Sequence, residues 1–79
     1  MKIYKVILVR NNNVPNGFLS NNSVSTDAFN AISSIPGTKN VKILKEAENE
    51  AEISYEWTKN KPFLDTEIYL SNFGVCKKK

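Results

Sequence analysis

The clearest periodicity lies at residues 50–57, EAEISYEW. Ala51, Ile53, Tyr55 and Trp57 fall on one side and Glu50, Glu52, Ser54 and Glu56 on the other. A period of two with one apolar side predicts a strand that covers a core with one face and meets water with the other. Residues 2–9, KIYKVILV, also read as a strand, with Tyr4, Val6 and Leu8 on one face and Ile3, Lys5, Ile7 and Val9 on the other. Both of its faces are largely apolar, which predicts a central position in the sheet. Residues 39–46, KNVKILKE, predict a strand with Val41 and Ile43 facing in, and Ala47-Glu48-Asn49 a hairpin turn into the strand at 50–57.

Two segments carry helical spacing. Ala28, Phe29, Ile32 and Ile35 form an apolar stripe. Ser23 or Ser25 can cap its start, Asp27 sits in the first turn where the helix dipole favours an acid, and Pro36-Gly37 ends it. A second helix is predicted to start at Asn60 or Lys61, with Pro62 at its first position and Gly74 as its stop. Phe63, Leu70 and Phe73 share one face of it, while Leu64, Ile68 and Tyr69 lie off that face. Val75 to Lys77 can add a short last strand. Between the first strand and the first helix lies NNNVPNGFLSNNS (11–23), with six asparagines; it predicts a long irregular loop with a tight turn at Asn16-Gly17. Phe18 and Leu19 inside it either tuck onto the core or form an exposed contact tip.

The order strand, helix, strand, strand, helix and a short strand predicts an α+β domain, a ferredoxin-like βαββα(β) sandwich with two helices on one face of an antiparallel sheet. At 79 residues the chain allows a single domain over 1–79, with the asparagine-rich loop spanning 10–24 and a basic tail at 76–79. The open face is expected to hold Ile7, Val9 and Leu44 beside Lys5, Lys42, Glu52 and Glu56, a surface suited to a protein partner or to self-association.

Composition narrows the chemistry. With no histidine and one cysteine, His-ligated zinc, a Ser-His-Asp triad, a Cys-His pair and an internal disulfide are excluded. The net charge of +3 is unevenly laid out: residues 1–45 carry six basic side chains and one acid, and residues 46–58 carry five glutamates and no base. With one arginine and dispersed lysines, no nucleic-acid partner is expected. No apolar run reaches bilayer length, so no membrane partner is expected either. The apolar run at 3–9 is short and broken by Lys5, unlike a secretory leader, and a lone cysteine fits a reducing compartment; the expected location is cytoplasmic.

The stretch from Ser25 to Val75 resembles the heavy-metal-associated domain family, the copper and mercury chaperones and the amino-terminal modules of metal-pumping ATPases. The likeness rests on Ile32-Ser33-Ser34-Ile35-Pro36-Gly37 leading into Thr38-Lys39-Asn40-Val41-Lys42-Ile43, on Ala51-Glu52-Ile53-Ser54-Tyr55, and on the closing Phe73-Gly74-Val75. The family presents a Met-X-Cys-X-X-Cys loop to a soft metal ion between the first strand and first helix. Here that place is taken by RNNNVPNGFLSNNSVS, without cysteine or methionine. The resemblance therefore implies the fold without the metal site: a non-enzymatic binding or interaction module with no cofactor. Two alternatives stand beside it. One is metal binding or transport, through Cys76 paired across a dimer or through oxygen ligands such as Glu48, Glu50 and Glu52. The other is a regulatory module for a small ligand. Arg10 followed by three asparagines loosely resembles the phosphate cradle of acylphosphatase, but its glycine-rich run is missing.

Overall fold

The computed structural model describes residues 2–58 and 66–78. The described elements are β1 (Lys2–Arg10), α1 (Pro15–Phe18), α2 (Val24–Ser34), β2 (Thr38–Glu46), β3 (Glu50–Trp57), α3 (Thr66–Asn72) and β4 (Val75–Lys77). The strands form one four-stranded sheet in the order β2-β3-β1-β4. Every neighbouring pair is antiparallel. The chain is thus a small α+β domain, with a four-stranded antiparallel sheet and three short helices.

The core lies between one sheet face and the helices α2 and α3. Leu8, Ala51, Ile53, Tyr55 and Val75 meet Val24, Ala28, Ala31, Ile32, Ile35 and Leu70. The alternation of β3 holds: Ala51, Ile53 and Tyr55 are buried, with Trp57 packed half-buried at the margin. On β1, Leu8 is fully buried and Val6 packs against the core, whereas Tyr4 is 41% exposed and stacks on Tyr55 with ring centroids 5.8 Å apart. The buried stripe of α2 is Val24, Ala28, Ala31, Ile32 and Ile35, while Phe29 stands half-buried at its edge.

The ends of α2 are built as the residue types imply. Ser23 is the N-cap, its hydroxyl accepting from the Thr26 amide at 3.2 Å. At the other end Gly37 takes φ +100°, and the Thr38 hydroxyl donates to the carbonyls of Ile32 and Ile35, both at 2.9 Å. These contacts add to the amide bonds that the same two carbonyls accept from Ile35 and Thr38 at the helix end.

Several expectations need correction. The stretch 11–23 is not wholly irregular: Pro15–Phe18 form a helical turn, with Pro15 at its start. Gly17 lies within that turn, and the left-handed glycines are Gly37 and Gly74 instead. The loop is also shorter at both ends than expected, because Arg10 belongs to β1 and Val24 to α2. Among the described residues, three helices rather than two accompany the sheet. Ile43 lies opposite Ile53 but is 38% exposed, because β2 is an edge strand only partly covered by α2. The ladder between β2 and β3 is irregular twice, between Lys39 and Lys42 and between Ile43 and Lys45. Asn40, at φ +51°, takes up the first irregularity and Leu44 the second. Lys45, not Leu44, therefore stands opposite Glu52. Val75–Lys77 form the short last strand expected there, which takes Cys76 and Lys77 out of the basic tail, and the Lys78 amide donates to the Ile7 carbonyl at 2.9 Å. The predicted start of the second helix at 60–62, together with Phe63 and Leu64, lies outside the described residues.

Candidate functional site

Arg10 is the only arginine in the chain and Asp27 the only acid in its first 45 residues. They meet at the two ends of the asparagine-rich segment. Arg10 Nη1 donates to Asp27 Oδ2 at 2.6 Å, with side chains 16% and 5% exposed. The Ser20 hydroxyl donates to the same oxygen at 2.7 Å, and Asn22 Nδ2 donates to Oδ1 at 3.2 Å. Arg10 Nη2 also donates to the Asn22 carbonyl at 2.8 Å. Burial pushes the Asp27 carboxyl upward, but the hydrogen bonds from Arg10, Ser20 and Asn22 and the Arg10 charge outweigh it, so its pKa lies below the ordinary value. The guanidinium is thereby committed to holding the loop. It is not a free phosphate cradle, which removes the physical basis of the acylphosphatase likeness.

A second anchor fastens the other half of the segment. The Asn11 amide donates to the Gly74 carbonyl at 2.9 Å. Gly17 and Gly74 then press backbone to backbone: a Cβ on Gly74 would stand 2.5 Å from the Gly17 Cα. Gly74 also takes φ +73°, so it both stops α3 and makes room for α1.

On this doubly fastened segment, Phe18 is 59% exposed and Leu19 69% exposed. Of the two readings of this pair, the structure takes the exposed tip. Beside it runs an open groove of about 460 Å³ lined by Pro15, Asn16, Leu19, Ser20, Asn72 and Phe73, among others, with Asp27 at its margin. Ile68, one helical turn before Asn72, is 64% exposed.

The other expected surface is the outer sheet face. Ile7 and Val9 stand on it, opposite Glu52 and Glu50, and Ile7 is 37% exposed. Leu44 is 42% exposed but is set off from them at the irregular β2 edge. Cys76 lies opposite Val9 on β4, half-buried. Glu50 pairs with Lys78 at 3.1 Å. Among the described residues, no three Cys, Asp or Glu side chains gather closely enough to hold a metal ion, and no helix is long and apolar enough to cross a membrane.

Phe18 and Leu19 stood out in the sequence with their exposure undecided, whereas the fastening was missed. Its signal was present: an unmatched arginine and an unmatched aspartate flank one loop. No family model, no curated protein and no solved structure matches the chain.

Proposed function

We propose that this chain is a non-enzymatic protein-binding module of ferredoxin-like, heavy-metal-associated type, in which a contact tip replaces the metal loop. The strand order β2-β3-β1-β4 supports the fold part, since it is the order that two interleaved βαβ units produce. The observation that carries the function is the exposure of Phe18 and Leu19 on a backbone fastened by the Arg10–Asp27 pair and the Gly17–Gly74 approach. Burying one such side chain on a partner gains about 1.5–3 kcal/mol. A loop ordered in advance loses little entropy on binding, so most of that gain reaches the affinity. Large apolar anchors on a rigid support are the usual centre of a protein interface.

The test is a photocrosslinking amino acid at position 18, expressed in the cells of origin. A discrete protein adduct is expected, lost on Leu19→Ser and absent when the crosslinker replaces exposed Lys45. No discrete adduct, or one indifferent to Leu19, sinks the reading. Cu(I) titration under reducing conditions addresses the metal alternative. Stoichiometric uptake abolished by Cys76→Ser would replace the tip reading with metal handling.

A further inference from the structure

The outer sheet face has an order that the tip reading does not use. Its positions follow from the strand registers. Along β1 run Ile3, Lys5, Ile7 and Val9; beside them on β3 stand Glu56, Ser54, Glu52 and Glu50. Beyond those, on β2, Lys39, Lys42 and Lys45 stand opposite Glu56, Ser54 and Glu52. On the far side of β1, Cys76 lies opposite Val9, and Lys78 bonds to Ile7. The face is therefore a column of lysines, a column dominated by glutamates, an apolar column broken by Lys5, and a short column ending in Lys78. Ile3 is 70% exposed and Ile7 37%.

We propose that this face pairs with the same face of a second copy about a two-fold axis running along β1. Such an axis keeps the height of each residue and exchanges the strands on either side. Ile3, Ile7 and Val9 then meet their own counterparts. β3 of one copy lies over β4 of the other, so Glu52 comes over Lys78 of the second copy, and the reverse, at the height of Ile7. Lys78 already holds its own Glu50 at 3.1 Å, and its ammonium has three donors to share between the two acids. The alternative in-plane axis, across the strands, would stack lysine column on lysine column and glutamate column on glutamate column. Like-charge contact of that kind suppresses wrong pairings. The charge layout thus selects one orientation, an aligned sheet-on-sheet packing.

The overlap sets the strength. β1, of nine residues, meets its counterpart along its whole length, but β4 has only three residues to lie over β3; at about 4.8 Å between strands and about 3.3 Å per residue the overlap is about 240 Å² per copy. That lies below the range of stable specific interfaces, so the dimer is weak, transient and formed only at high concentration. Lys5 is the misfit, because on the axis it meets its own counterpart.

Sedimentation equilibrium of the whole chain, from about 10 μM to about 1 mM at low salt, tests the proposal. A monomer–dimer equilibrium is expected, abolished by Ile7→Lys and tightened roughly tenfold by Lys5→Met. Glu52→Lys and Lys78→Glu should each weaken it, and the double exchange should restore it. Circular dichroism of each variant checks that the fold is kept. A strict monomer at the highest concentration overturns the proposal. A dimer that the double exchange does not restore, or that Phe18→Ser abolishes instead, overturns it equally. A strict monomer leaves the adduct expected at position 18 untouched, and a dimer abolished by Phe18→Ser moves self-association to the tip, so the two readings fail separately.

Discussion

Gly17→Ala sets two local effects against each other. Gly17 lies inside the helical turn α1, where helix propensity alone favours alanine by about 1 kcal/mol. The packing opposes it. A Cβ there would stand 2.7 Å from the carbonyl carbon of Asn11, closer still to its oxygen, and 3.3 Å from the Gly74 carbonyl oxygen. These are backbone atoms and cannot rotate away. For the methyl to fit, α1 must lift from the α3–β4 turn, straining the bond from the Asn11 amide to the Gly74 carbonyl. Overpacking costs about 1–3 kcal/mol, and the weakened hydrogen bond about 0.5–1.5 kcal/mol more. Set against the propensity gain, the net loss is about 0.5–3.5 kcal/mol. A chain of this length has roughly 4–12 kcal/mol in all. Urea unfolding followed by Trp57 fluorescence measures the loss as a lower midpoint at unchanged slope. A neutral or stabilising Gly17→Ala would show that the two glycines do not bear on each other, and the fastened tip would lose its footing.

Three further outcomes follow from the same contacts. Asp27→Asn should destabilise the protein by about 1–3 kcal/mol, since it leaves the largely buried Arg10 without a counter-charge. Because the folded carboxyl titrates below its ordinary value, the stability it adds is complete above the unfolded Asp pKa of about 3.9 and is lost as pH falls through the lower folded value. Stability curves between about pH 2 and 6 should therefore converge for Asp27→Asn and the native chain at the acid end; parallel curves refute the linkage. Ile53→Ala, at a fully buried position, should cost about 2–5 kcal/mol, and Glu52→Ala on the wet face well under about 1 kcal/mol; equal effects in thermal melts would reverse the assignment of faces. Ser23→Ala should cost about 1 kcal/mol through loss of the α2 cap, and Ser23→Gly only a few tenths. Indistinguishable melts for Ser23→Ala and the native chain would deny the cap.

What the sequence determined by itself was whatever depends on neighbours close along the chain. Alternation from Ala51 to Trp57 set the faces of β3, because a one-residue slip would put glutamates into the core. Ser23, Pro36-Gly37 and Gly74 marked helix ends, because capping is a matter of a few adjacent residues. The exposed pair Phe18-Leu19 was visible as an anomaly, though not its outcome. Only the tertiary structure decided the rest. It brought Arg10 to Asp27 across 17 positions and Gly17 to Gly74 across 57, contacts that no local period encodes. The structure also made Gly17 a site of close backbone approach inside a helical turn rather than a left-handed tight-turn residue. It moved Leu44 away from Ile7 through an irregular edge ladder that alternation alone does not foresee. Periodicity tells a residue which side of its own element it is on; which other backbone arrives there is settled by packing the whole chain.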